Sequence, residues 1–382
     1  MVFYDKNVIK YTVELIYAIS NNPEKTIGKF MKNLCLSKSS LKIFDACGCV
    51  ALNQFYFLER LEKSMKNKNS QISLGSANSV RKSLENIKKI RNLREKRKSL
   101  EEGRRSSLSN ILTDRANVSF TNRLSLKFEE LEEILKNKTD EEIANFFFYL
   151  KEKEILYSTT SLLNQIIPLL IGALDSPNLE VQLVLYTSLS KCMMISSDFF
   201  FEHKNRLISA FNHSSNKIKN LAVVAMHDFL IFYKTFLDSS LLFEKLNDPE
   251  VSKNALLVIF NLLQKSIIRI RNNSVKVMAL LFHEELGSIV KSLIMNFSSN
   301  NNLISVIFYE TFTSALSIDH LKFLTVYIPQ NIQESMFLKC LKTSVSDERL
   351  KCVFDNFELS EKFVRENSFR DEMNKLIPQT NE

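Results

Sequence analysis

Apolar side chains recur along most of this chain at spacings of three, four and seven, the pattern that collects them on one face of a helix. Val8, Tyr11, Thr12, Leu15 and Ile19 keep that spacing until Asn21-Asn22-Pro23, a run that breaks helices. A second helix is predicted over 26–36 and a third over 43–62. The third carries Phe44, Cys47, Ala51, Leu52, Phe55, Leu58 and Leu61 on one face. The pattern then fades. Residues 64–115 are rich in Lys, Arg, Ser and Asn and poor in aromatics. Such a stretch buries too little apolar area to offset its ordering entropy, so a mostly disordered linker is expected. Ile87, Ile90 and Leu100 are weakly periodic and would suit a transient helix there.

Helical spacing returns at about residue 116, and from about residue 160 it repeats. Three joints can be superposed: LIGALDSPNLEVQLVLYTSL, LISAFNHSSNKIKNLAVVAMHDF and LFEKLNDPEVSKNALLVIFNLL. Each pairs an apolar helix end with a polar turn (Asp175-Ser176-Pro177, Asn212-His213-Ser214, Asn247-Asp248-Pro249) and a β-branched residue entering the next helix. Those residues are Val181, Ile218 and Val251, 37 and 33 positions apart. Asp or Asn is expected to cap the second helix, with Pro in its first turn. A helix pair of this kind leaves an apolar face that only a neighbouring pair can cover, as in HEAT repeats. The expected fold is all-α, a HEAT-repeat α-solenoid with a disordered basic linker near the N-terminus. Its divisions are 1–62 (N-terminal helices), 63–115 (linker), 116–370 (solenoid) and 371–382 (tail).

Composition sharpens this. Six Gly and six Pro in 382 residues leave little material for hairpins or phosphate loops. The six cysteines fit a reduced compartment. The opening MVFYDKNVIKY carries charges within its first ten residues, so no secretory signal is expected. The most apolar stretch, 221–237, holds His227, Asp228 and Lys234, which argues for a buried helix rather than a membrane span. The net charge of +8 is concentrated: 60–105 holds 15 Lys/Arg against 5 Asp/Glu.

That linker offers Arg81, Lys82, Lys88, Lys89, Arg91, Arg94, Lys96, Arg97, Lys98, Arg104 and Arg105 as phosphate contacts without sequence readout. Nuclear targeting through 94–98 and plain solvation are competing readings. Arg104-Arg105-Ser106-Ser107 also resembles a basophilic kinase site. Cys47-x-Cys49 lacks a second ligand pair at zinc spacing, so buried thiols are expected and no metal. The five histidines (His203, His213, His227, His283, His320) sit in no G-x-S-x-G, H-E-x-x-H or phosphate-loop context. No catalytic residue, cofactor or small-molecule substrate is expected. The runs 146–148 and 199–201, all phenylalanine, are expected mostly in inter-helix core.

Read in order, several segments resemble the C-terminal part of the condensin complex subunit 1 family. They are Phe44 to Glu59 with its Gly48-x-Val50-Ala51-Leu52-x-Gln54 run, then Glu154-Ile155-Leu156-Tyr157. Next comes Ser190-Lys191-Cys192-Met193-Met194-Ile195-Ser196-Ser197-Asp198-Phe199, the most specific of them. Met226-His227-Asp228, Asp248-Pro249-Glu250-Val251-Ser252-Lys253-Asn254-Ala255 and Phe282-His283-Glu284 follow. His227 stands where the family has glycine and Ser252 where it has arginine, and the family's N-terminal half has no counterpart. The resemblance implies a non-catalytic regulatory scaffold of condensin. Its partners would be a kleisin subunit, the SMC ATPase heads, the second HEAT subunit, and DNA or chromatin without sequence specificity. The location implied is the nucleus and chromosomes, with the cytoplasm outside mitosis. An importin-type transport adaptor is the alternative, disfavoured because the chain outside the linker is near neutral rather than acidic.

Overall fold

A computed structural model describes residues 6–20, 22–36, 40–74, 128–135, 138–159, 161–233, 237–343, 347–360 and 363. Among them the chain is all-α, with no strand. Helices pack on helices in two compact units, Met1–Ser209 and Ala210–Glu382. No helix among the described residues is long and apolar enough to cross a membrane.

The first unit holds α1 (Lys6–Ile19), α2 (Pro23–Leu36), α3 (Ser40–Leu74), α4 (Phe128–Leu135), α5 (Asp140–Tyr149), α6 (Leu162–Gly172), α7 (Leu179–Met193) and α8 (Ser197–Ala210). A π-helical turn, Leu150–Glu154, extends α5. Its centre is α3, against which α1, α2, α5, α6 and α7 all pack. That explains why every residue from Phe44 to Val50 is buried, although together they point in every direction round the helix. A helix covered on all sides has no polar face to keep.

Three details differ from the sequence pattern. The stripe Val8, Tyr11, Leu15, Ile19 is 57–72% exposed, and α1 instead buries Ile9, Val13 and Tyr17. Both stripes have helical spacing; the second wins because it carries Tyr17, whose ring meets Phe57 of α3 at 5.8 Å. Second, α2 begins at Pro23 rather than residue 26, since proline at the first helical position loses no hydrogen bond. Third, α3 runs to Leu74, past the predicted end at 62. Glu62 there takes Lys66 one turn on at 2.6 Å and Lys151 at 3.1 Å, while Met65 is buried.

The second unit holds α9 (Asn216–Phe232), α10 (Ser240–Glu244), α11 (Ser252–Gln264), α12 (Ser274–Met278), α13 (Gly287–Phe297), α14 (Asn301–Thr313), α15 (Ile318–Thr325), α16 (Gln330–Leu341) and α17 (Asp347–Asn356). A 3₁₀ turn, Lys245–Asn247, joins α10 to α11. Its helices pack on neighbours one or two places along the chain: α9 on α11, α12 on α14, α14 on α16, α15 on α17. That near-neighbour connectivity is the one expected of a helical-repeat array.

The predicted caps are realised in part. Asn178 Oδ1 accepts from the Glu180 N–H at 2.9 Å and caps α7, so Pro177 lies before the cap and not in the first turn. At the second joint His213 Nδ1 accepts from Ser215 N–H at 3.0 Å. At the third, Asp248 accepts from Glu250 N–H at 3.2 Å through its side chain and from Ser252 N–H at 2.8 Å through its carbonyl. Ile218 and Val251 are fully buried, whereas Val181 is half-buried.

Candidate functional site

Two of the segments singled out in the sequence meet face to face. Gly48 on α3 lies against Ser188 on α7, and the Ser188 hydroxyl donates to the Phe44 carbonyl at 2.7 Å. One turn along, the Lys191 ammonium reaches the Cys49 sulfur at 3.4 Å. Burial holds the Cys49 thiol above its ordinary range, although Lys191 pulls the other way. A hydrogen bond with Cys192, together with burial, raises the Cys47 thiol further. These cysteines are inert packing groups whose neutral form the site favours. Among the described residues there is no group of three or more side chains that could hold a metal.

The Ser-Ser-Asp-Phe part of the signature is a helix start. Ser196 is fully buried; its hydroxyl donates to a Glu152 carboxylate oxygen at 2.9 Å and accepts from Phe199 N–H at 3.3 Å. The same carboxylate accepts from Ser197 N–H at 2.8 Å. A buried carboxylate placed on free N–H groups at a helix start satisfies orphan donors and meets the positive end of the helix dipole. Phe199 and Met193 are core, and Phe199 meets the His203 ring at 4.4 Å. Burial lowers the His203 pKa, which favours the neutral ring. Sequence reasoning missed Glu152: it lies 44 residues before Ser196, and nothing local marks it as a cap.

In the second unit a ladder of polar side chains links α9 to α11 and to the turn before α11. Lys219 pairs with Asp248 at 2.8 Å, and Asn254 donates to Asn220 at 2.7 Å. His227 joins Asn261 at 2.9 Å through Nε2 and Asp228 at 2.8 Å through Nδ1. With both ring nitrogens engaged, His227 serves as a bridge. Between these rungs Val224 and Leu257 stand exposed, as does Lys253, while Ala255 is buried.

Phe282, His283 and Glu284 are all exposed on the turn before α13. The Phe282 ring lies edge-on to His320 at 4.7 Å, and His283 Nδ1 accepts from Glu285 N–H at 3.3 Å. Of the phenylalanine runs, Phe147, Phe199 and Phe200 are buried and Phe148 and Phe201 exposed. Arg349, which no local pattern singles out, is buried as well. Its guanidinium donates to the Thr311 carbonyl at 3.2 Å, to Leu316 at 2.6 Å and to Ser314, closing the C-terminal end of α14. Arg81, Lys82, Lys88, Lys89, Arg91, Arg94, Lys96, Arg97, Lys98, Arg104 and Arg105, with Ser106 and Ser107, lie outside the described residues.

No protein-family model matches the chain. It is similar to condensin complex subunit 1 of Schizosaccharomyces pombe (strain 972 / ATCC 24843), at 23% identity over 193 residues. The match takes in 47% of this chain and 17% of that protein, so the chain corresponds to less than a fifth of that relative's length.

Proposed function

We propose that this chain is a non-catalytic regulatory scaffold of a condensin complex, acting by binding rather than by chemistry. The observation that carries the reading is the similarity to condensin complex subunit 1, joined to the meeting of two signature segments at Cys49 and Lys191. In this reading the signature residues hold the scaffold's shape: Ser196 and Ser197 start a helix, Asp248 ties one helix to the next, and Met193, Phe199 and Ala255 fill the core. Helical arrays of this sort present long surfaces to extended or helical segments of partners. The partners proposed are a kleisin subunit, the SMC ATPase heads and the second HEAT subunit, on mitotic chromosomes and in the nucleus. The linker cations contact DNA or chromatin through phosphates, without sequence readout.

Affinity purification of the tagged chain from its source cells, read by mass spectrometry, tests the assignment. Recovery of two SMC proteins and a kleisin is expected. Nuclear-pore proteins and a Ran-like GTPase in their place would overturn it in favour of the transport-adaptor reading.

A further inference from the structure

The turn that follows α11 presents cations in a fixed frame. Lys265, Arg269 and Arg271 are exposed, while Ile268 and Ile270 between them are 8% and 2% exposed. The alternation therefore pins the backbone inward through the two isoleucines and turns the arginines outward. Among the described residues, none of the three cations is in an ion pair. The nearby Glu310 carboxylate is engaged elsewhere, accepting from Asn272 N–H at 2.6 Å and from Ser274 N–H at 3.3 Å.

The turn is framed by left-handed residues. Ser266 (φ 55°) and Asn272 (φ 68°) are the non-glycine residues with positive φ among those described. Ser266 ends α11 in the usual left-handed helix stop, its N–H on Leu263 O at 2.9 Å and the Ile267 N–H on Leu262 O at 2.9 Å. Asn273 N–H donates to Ile270 O at 2.8 Å, with Glu310 gripping the far end. The turn thus presents three exposed cations outside any ion pair, with Glu310 tied to the backbone at its far end.

We propose that Lys265, Arg269 and Arg271 form a contact site for the phosphate backbone of duplex DNA. The proposal deepens the scaffold reading above and rests on it. The chemistry selects a duplex. The turn supplies charge but no aromatic ring, and single-stranded nucleic acid is gripped by stacking on aromatics. Its two isoleucines nearest the arginines are turned into the core, so it offers no apolar anchor for an acidic peptide.

The test uses the full chain and a fluorescent duplex of about 40 base pairs, titrated across about 50–200 mM salt. Substituting Lys265→Ala, Arg269→Gln and Arg271→Gln together should flatten the slope of log K against log salt by about 2–3, from roughly 0.9 per lost phosphate contact. The same decrement should appear in the chain lacking residues 80–105, because the two elements contribute separately. Arg271→Gln alone should remove about 0.9, which keeps the test valid should the triple variant unfold. Arg269→Lys with Arg271→Lys should keep the slope, since phosphate needs only the charge. An unchanged slope in the triple variant overturns the site. So does an equal loss of affinity for a single strand or an acidic peptide. Failure here leaves recovery of SMC and kleisin proteins intact, whereas failure of the scaffold reading removes that recovery and leaves the slope measurable.

Discussion

Gly48 and Ser188, 140 positions apart, approach so closely that a Cβ on Gly48 would stand 2.7 Å from the Ser188 Cα. No side-chain rotation relieves that contact, because the atom in the way is backbone. Gly48→Ala should therefore push α3 off α7 and destabilise the first unit by about 1–3 kcal/mol, the usual cost of overpacking. Gly172, near the end of α6, has nothing within 4 Å of its Cβ position. Gly172→Ala should be neutral or stabilising by up to about 1 kcal/mol, through the unfolded chain. Urea unfolding of the two variants side by side checks both; equal midpoints would refute the contact.

Glu152 is the remote cap of α8. Glu152→Ala leaves the Ser196 hydroxyl and the Ser197 N–H without their carboxylate in a buried setting, at a cost of about 1–3 kcal/mol. Hydrogen exchange at the start of α8 should rise well above that of α7. Protection equal in both helices would count against the capping role.

Glu24 should make the first unit sensitive to pH. Its carboxyl accepts a hydrogen bond from the Gln54 amide and faces the buried Tyr17 hydroxyl, which lacks a hydrogen-bond partner. Burial raises its pKa from 4.5 to about 7, and pushes the Tyr17 hydroxyl well above its ordinary value. The folded state thus holds its proton more tightly than the unfolded chain does. Stability contributed by the neutral carboxyl is full below pH 4.5, is lost as pH rises to about 7, and changes little above that. Glu24→Gln should abolish this slope, making the variant relatively more stable at pH 8 than at pH 5. Thermal melts at both values decide it; parallel pH profiles for the two proteins would sink the prediction.

The linker should set most of the salt dependence of DNA binding. If about six of its cations engage phosphates, log K falls with log salt at a slope near −5. Deleting residues 80–105 should flatten that slope by about the same amount. Anisotropy titrations at several salt concentrations measure it. An unchanged slope would return the linker to nuclear targeting or solvation.

Phosphate on Ser106 or Ser107, beside Arg104 and Arg105, should cancel part of the same charge and reduce the slope by about one to two contacts. Phosphopeptide mapping followed by titration of the modified chain checks it.

Helix periodicity, scarcity of Gly and Pro, and the recurring joints were enough to read the chain as all-α, and the near-neighbour packing of α9 to α17 agrees with the repeats. Buried positions such as Cys47, Ala51, Phe55 and Leu58 were also legible, because a helical stripe is a local property. Two stripes on α1 were not separable, since the sequence shows both as apolar and only the neighbour chosen by packing says which one leaves water. The same limit hid the roles within the signature. Ser196 and Ser197 could be marked as a motif, but Glu152 and Arg349 act on helix ends 44 and 38 residues away. What the sequence determines alone is what each residue and its near neighbours impose: helix, turn, charge. Which distant carboxylate meets which helix end, and why Gly48 admits no side chain, was decided by tertiary packing, because those contacts exist only once separate helices share one core.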